Sequence, residues 1–355
     1  MNKFNKLFNQ LKISDAVFIS SDINRRYFSG MKSSAGNILA FPEKAYLLID
    51  FRYFEKAKSI VTSCEVVLLK NLKAQCKELM EKHNAKTVSI ESEIITISEL
   101  KALENRFEGF EIDSTSALSD AITQLRCQKS QIEIEKITKA QRIAEKGFEH
   151  ILNFVKVGVT EREIALELDY YMLRNGAEAL SFDTISLTGK NTSLPHGVPS
   201  DTKVKKGDFV LLDYGAVYDG YHSDMTRTFC VGEPTNKMRE VYDIVFNAQE
   251  TALKSVKANE LGKNIDKLAR DIISNAGYSE YFGHSLGHGV GMEIHEYPNA
   301  SPSFEKPIPE NSILTIEPGI YLPEEFGVRI EDFVVVTKDG MKNLTQAPKN
   351  LICLK

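Results

Sequence analysis

The dipeptide Asp219-Gly220 lies between two runs that both read as strands, Phe209–Tyr218 and Tyr221–Val231. An Asp-Gly turn in that setting commits the chain to a β-hairpin of fixed register. If Tyr218 faces Tyr221 across the turn, Asp213 faces Thr226. Side chains alternate along a strand, so Asp224 points to the same face as Asp213, the two being diagonal neighbours about 7–8 Å apart at the backbone. Asp213 follows Phe209-Val-Leu-Leu212, a run that reads as buried, and a buried carboxylate without a cation or hydrogen bonds is costly. Two short carboxylates reaching inward from there can share metal ions about 3.5–4 Å apart.

The later part of the chain repeats the pattern. In Ser312–Glu317, Thr315 and Glu317 share one face, and Pro318-Gly319 is expected to end the strand. In Val328–Val336, Arg329 and Glu331 fall on one side and Val328 and Ile330 on the other. His288 lies in Gly283–Gly291, where glycines permit turns and close approach. Asp213, Asp224, His288, Glu317 and Glu331 are thus five potential ligands. Four carboxylates and one neutral imidazole carry a charge of −4, which balances two divalent cations and leaves them acidic enough to ionise a bridging water. Taken singly, each has a bland account as a strand-edge aspartate or a packed histidine. All five in strand-like or glycine-rich runs point to a two-metal hydrolase.

The segments Leu212–Gly215, Ser223–Phe229, Gly287–Gly291, Glu293–Glu296, Thr315–Gly319 and Gly327–Asp332 resemble the motif set of the pita-bread metallopeptidases. The resemblance runs the length of the chain and is strongest to the proline-specific branch, the Xaa-Pro aminopeptidases and Xaa-Pro dipeptidases. It implies an α+β pita-bread (creatinase/aminopeptidase-like) catalytic domain in which Asp213, Asp224, His288, Glu317 and Glu331 hold two divalent ions, with Asp224 and Glu331 bridging. It also implies catalytic roles for His196, His295 and Arg329, a substrate-pocket role for His284, and a proton-shuttle role for Glu317. A ligand set of four carboxylates and one imidazole favours Mn²⁺, with Co²⁺ or Zn²⁺ as alternatives. Proline's nitrogen is a tertiary amide without N–H and must be protonated as it departs, which a histidine or a metal-bound Glu can do.

Dipeptidase relatives often carry arginine where this chain has Asn299, a group suited to gripping a free carboxylate. The expected activity is therefore that of an Xaa-Pro aminopeptidase releasing the first residue from proline-containing peptides, with Xaa-Pro dipeptidase (prolidase) as the alternative. Methionine aminopeptidases share the catalytic fold, but an additional α/β domain and the Pro195-His196-Gly197 context point to the proline branch. Creatinase-like relatives work without metals. Non-catalytic peptide-binding modules of the same fold usually depart from the ligand set that is intact here.

A chain of 355 residues, 42% hydrophobic and 26% charged, has room for two domains with ample core. Its net charge of −5 gives no reason to expect nucleic-acid binding. Cysteines at 64, 76, 127, 230 and 353 form no paired motif, so neither a disulfide framework nor a cysteine zinc site is indicated, and the reduced cytoplasm is the expected location. Phe4, Leu7, Phe8 and Leu11 in Met1–Lys12 fall at helical spacing, with an apolar stretch too short for a signal peptide, and no segment reaches transmembrane length. Residues 16–20, 45–49, 65–69 and 87–90 read as strands, and 72–83 and 97–107 as helices, an α/β domain over 1–125. In it, Ile23–Gly30 and Asp50–Tyr53 resemble segments of the family's amino-terminal domain, a domain that in relatives reaches over a neighbour's active site, which implies a homodimer. Ser130 followed by Glu133, and Thr160 by Glu163, are capping-box signatures of helices that open a catalytic domain over 126–355. No internal repeat is visible.

Overall fold

A computed structural model describes residues 3–11 and 14–355 and divides into two compact units, Met1–Arg126 and Cys127–Lys355. In the first unit six strands, β1 (Ala16–Ile19), β2 (Asn37–Ala40), β3 (Ala45–Ile49), β4 (Glu65–Leu68), β5 (Thr87–Ile90) and β6 (Glu111–Asp113), form one mixed sheet in the order β4-β3-β2-β1-β5-β6. Helices α1 (Lys3–Gln10), α2 (Asp22–Ser29), α3 (Phe51–Ile60), α4 (Leu72–Lys82) and α5 (Ile97–Arg106) alternate with the strands, and α6 (Ala117–Cys127) runs to the boundary. Phe4 and Leu7 of α1 and Leu11 beyond it are buried, while Asn5, Lys6, Asn9 and Gln10 are exposed, the amphipathic pattern expected. Met1, Asn2 and Lys12 of that run lie outside the described residues.

Four elements of this unit escape the sequence reading: β2, β6, α2 and α3. Helix α2 is made by its ends. The Ser21 side chain caps its start, the buried Glu91 carboxylate accepts from the backbone N–H groups of Ser20 and Ser21 and from Asn24 Nδ2, and Gly30 closes it in the left-handed conformation. Asp50 caps α3 in the same way, so Asp50–Tyr53 is a helix start. Arg52 there pairs with Asp50, and Tyr53 Oη lies 2.8 Å from Ser34 Oγ.

The second unit begins with α7 (Gln131–Phe154) and α8 (Glu161–Arg174), and both expected capping boxes are formed. Strands β7 (Ala179–Leu180), β8 (Ile185–Thr188), β9 (Phe209–Tyr214), β10 (Ala216–Tyr218), β11 (Tyr221–His222) and β12 (Met225–Val231) follow. The hairpin has the register read from its turn, Tyr218 opposite Tyr221 and Asp213 opposite Thr226. Asp219 and Gly220 both have positive φ, +48° and +81°, as a type I′ turn requires. Then come α9 (Asn236–Ser255), α10 (Gly262–Asn275), β13 (Gly287–Gly289), β14 (Glu296–Ala300), β15 (Ile313–Ile316), β16 (Gly319–Leu322), β17 (Phe326–Arg329), β18 (Asp332–Thr337), β19 (Gly340–Asn343) and β20 (Cys353–Leu354). Sheets run β20-β12-β9-β8, β11-β10-β7 and β15-β18-β19, with the pairs β13-β14 and β16-β17.

Although no repeat shows in the sequence, the architecture repeats. Apolar residues of α7 and α8 pack on β9, β10 and β12, and those of α9 and α10 pack on β15 to β18. Each half is a helix pair over antiparallel strands, with two of the acidic residues on those strands or at their ends.

One strand reading holds and one is corrected. β15 stops at Ile316, before Pro318, as expected, and Gly319 opens the separate strand β16. Val328–Val336 is not continuous, because β17 ends at Arg329 and β18 begins at Asp332. Between them the chain leaves its partner β16 for β15, and Glu331 N donates instead to Thr226 O of β12. That break is what turns Glu331 towards the first hairpin.

Candidate active site

Local backbone accounts for each acidic or imidazole group at the junction of the two halves. Asp213 is carried by β9, Asp224 precedes β12, His288 is the centre of β13, Glu317 follows β15, and Glu331 sits in the break between β17 and β18. Ligand atoms of Asp224, His288 and Glu331 all lie within 4.8 Å of one another. His288 Nε2 is 3.5 Å from Asp224 Oδ2 and 3.4 Å from Glu317 Oε1. Asp213 is held beside this group by Arg329, whose Nη2 donates to Asp213 Oδ2 at 2.5 Å.

Buried hydrogen bonds orient the donors. Thr226 Oγ1 donates to Glu331 Oε2 at 2.8 Å and accepts from Arg329 Nε at 3.1 Å. Arg329 Nη1 donates to Tyr321 Oη at 2.7 Å, and Tyr321 Oη lies 2.9 Å from His284 Nε2. His284 Nδ1 is 2.8 Å from Ser285 O, an acceptor only, so Nδ1 carries the proton and Nε2 accepts from the tyrosine. His288 follows the same logic: Nδ1 lies 3.0 Å from Gly289 O, which leaves the Nε2 lone pair aimed at Asp224 and Glu317. Burial lowers both imidazoles to a pKa of about 4, so both are neutral near pH 7.

The acidic groups do not rest easily together. Burial, then the charges of Asp213 and Glu317, push Asp224 well above the ordinary carboxylate range. Burial, then Asp224 and Glu317, do the same to Glu331, and burial foremost lifts Glu317 to about 8. Among the described residues, Asp213 Oδ1 and Glu331 Oε1 find no hydrogen-bond partner although both are buried. Orphaned carboxylate oxygens beside a neutral imidazole are the donor set a divalent cation satisfies, so Asp213, Asp224, His288, Glu317 and Glu331 fit two such ions by charge and chemistry.

The group opens on a cavity of about 670 Å³. His196, His284 and His295 line it, with Phe182, Ile185, Val198 and Ile294 as apolar wall. The ring of His295 stands edge-on to His288 with centroids 4.4 Å apart. Asn299 also faces the cavity. Thus the structure brings the ligand candidates Asp213, Asp224, His288, Glu317 and Glu331 together with His196, His284, His295, Asn299 and Arg329 around one cavity. Tyr321 and Thr226 were not singled out. Tyr321 lies on β16, beyond the Pro318-Gly319 break, so no single-strand alternation pointed to it; Thr226 was noted only as the register partner of Asp213.

Fold and site together have the form of a hydrolase with a candidate metal centre between two similar halves. Residues 135–338 match metallopeptidase family M24, and residues 1–128 match the creatinase/prolidase N-terminal domain. The chain belongs to that family, the pita-bread metallopeptidases. It is 41% identical over 339 residues to an Xaa-Pro dipeptidase of Pyrococcus furiosus, covering 95% of each chain. Among solved structures it is similar to an Xaa-Pro dipeptidase from Bacillus anthracis, with a TM-score of 0.94 and 38% identity over 99% of each chain. It is also similar to an X-Pro aminopeptidase from Thermotoga maritima, with a TM-score of 0.90 and 38% identity over 96% of this chain and 98% of the other.

Proposed function

We propose that this protein hydrolyses the Xaa-Pro peptide bond and acts chiefly as an Xaa-Pro dipeptidase. The carrying observation is the buried cluster of Asp224, His288 and Glu331, with Asp213 and Glu317 beside it, at the floor of a cavity of about 670 Å³. Relatives named Xaa-Pro dipeptidase support that specificity over the aminopeptidase expected from Asn299. In this reading Asp213, Asp224, His288, Glu317 and Glu331 would hold two divalent ions, Mn²⁺ first with Co²⁺ or Zn²⁺ as alternatives, in a cytoplasmic homodimer. When bound, the ions supply the acidity that makes water nucleophilic near neutral pH and the Lewis acidity that polarises the carbonyl. Glu317 takes the proton of the attacking water and passes it towards the departing nitrogen. His196 and His295, both on the cavity wall, orient and polarise the carbonyl of the scissile bond. Arg329 holds Asp213 and, through Thr226, Glu331, while His284, kept neutral, presents an imidazole face to the substrate.

A second reading rests on the cavity wall. Among the described residues lining it, Arg329 is the one arginine and there is no lysine, and Arg329 is already engaged with Asp213, Tyr321 and Thr226. A wall without a free basic group also suits a longer peptide, as in an Xaa-Pro aminopeptidase. Kinetics of the Mn²⁺-loaded protein with Gly-Pro and with Gly-Pro-Yaa tripeptides decide between them. A higher kcat/KM for Gly-Pro supports the dipeptidase. Tripeptides cleaved at least as well reject it, and Asn299→Arg should then move the ratio towards dipeptides by about 1.5–3 kcal/mol, the worth of a charged hydrogen bond. No cleavage of either substrate would reject both readings.

A further inference from the structure

We infer that the buried ion pair between Lys129 and Glu296 is a positioning device for His295, acting on turnover without touching substrate. The inference rests on the role given to His295 above. Among the described residues the His295 imidazole has no hydrogen-bond or ion-pair partner, so its place is set by its own backbone and by contact with His288. That backbone is wound around the next side chain. Glu296 Oε1 accepts from Glu293 N at 3.0 Å, Gly291 N donates to Glu293 O at 3.0 Å, and His222 N donates to Gly291 O at 2.8 Å. The Glu296 carboxylate occupies the space a Cβ at residue 291 would need, so only glycine lets the loop close there.

Lys129 fixes the carboxylate from the other side. Its Nζ donates to Glu296 Oε2 at 3.0 Å, and the two side chains are 1% and 6% exposed. The lysine is anchored in turn: its N–H donates to Asn311 O, and Ser130 beside it opens α7 through the capping box. A buried pair of this kind seldom adds net stability over apolar neighbours, because desolvation cancels most of the attraction. What it does supply is a single allowed position for the carboxylate, hence for the 291–296 loop and the imidazole on it.

A double-mutant cycle on the Mn²⁺-loaded full chain, with Gly-Pro as substrate, tests this. Lys129→Met should lower kcat by about 10–100-fold, the scale of a small misplacement of a catalytic group, with KM and metal content nearly unchanged. In a His295→Ala background the same substitution should change kcat by less than about twofold, because both act through one imidazole. Lys129→Met/Glu296→Gln, which removes both charges, serves if the single variant does not fold and should show the same loss. Wild-type kcat in either folded variant, or an equal further loss on top of His295→Ala, overturns the inference. If His295→Ala itself turns over normally, the role of His295 fails and the inference falls with it. If His295→Ala is impaired and the lysine variants are not, only the inference falls.

Discussion

Thr226 joins the two halves of the site, since one hydroxyl donates to Glu331 from the second half and accepts from Arg329. Arg329 in turn reaches Asp213 on the first hairpin and Tyr321 on the β16-β17 pair, so a fully buried guanidinium ties both acidic hairpins to the neutral His284. Glu331→Ala should lower metal content from two ions per chain and reduce kcat/KM by more than the roughly 10–100-fold seen when a supporting partner of a ligand is lost. Two tightly held ions with normal turnover, by metal analysis and steady-state kinetics, would exclude a bridging role. Tyr321→Phe removes one hydroxyl and leaves Arg329 Nη1 and His284 Nε2 each short of a partner. An unsatisfied buried polar group costs about 1–3 kcal/mol, so we expect kcat/KM to fall about tenfold with both metals retained. Metal loss in that variant would show that Tyr321 acts on the ligands themselves.

At the scale of elements, what could be read was what local chemistry dictates. The Asp-Gly turn set the hairpin register, and the two Ser/Thr-to-Glu boxes marked the starts of α7 and α8, because these signals involve residues within a few positions of one another. Helix α2 was missed because part of its capping comes from Glu91, far along the chain, and β2 because a four-residue strand has too little pattern. The break at Ile330-Glu331 was missed because it is caused by a switch of strand partner. The turn itself can be tested. Gly220→Ala places a Cβ at φ +81° and should cost about 1–2 kcal/mol in urea unfolding, leaving metal content intact because the register is also held by β9 against β12. Loss of metal at unchanged stability would mean that the turn controls the register alone.

For the whole molecule, the site is a place where folding alone leaves charge unbalanced. In the metal-free protein Asp224, Glu317 and Glu331 have raised pKa values, Glu317 about 8, so the native state holds their protons more tightly than the unfolded chain does. That contribution to stability is present in acid and is lost as pH rises from the unfolded carboxylate value of about 4 towards the folded ones. Cations bind the ionised forms, and at about 1,000-fold over Kd should add about 4 kcal/mol. The gap in Tm between metal-loaded and chelated protein should therefore widen from about pH 5.5 to about pH 8; a gap that narrows would contradict the raised values. The sequence by itself determined which residues are candidate ligands and which way the hairpin aspartates face, because ligand type, strand alternation and turn register are local properties of the chain. It also determined the α/β pattern of the first unit and the helix starts of the second. Only the tertiary structure decided that the four carboxylates meet, that Thr226 and Tyr321 orient them, and that Lys129 stands under Glu296. Those contacts join positions far apart in the sequence, and no periodicity within one segment records which distant segment will be packed against it.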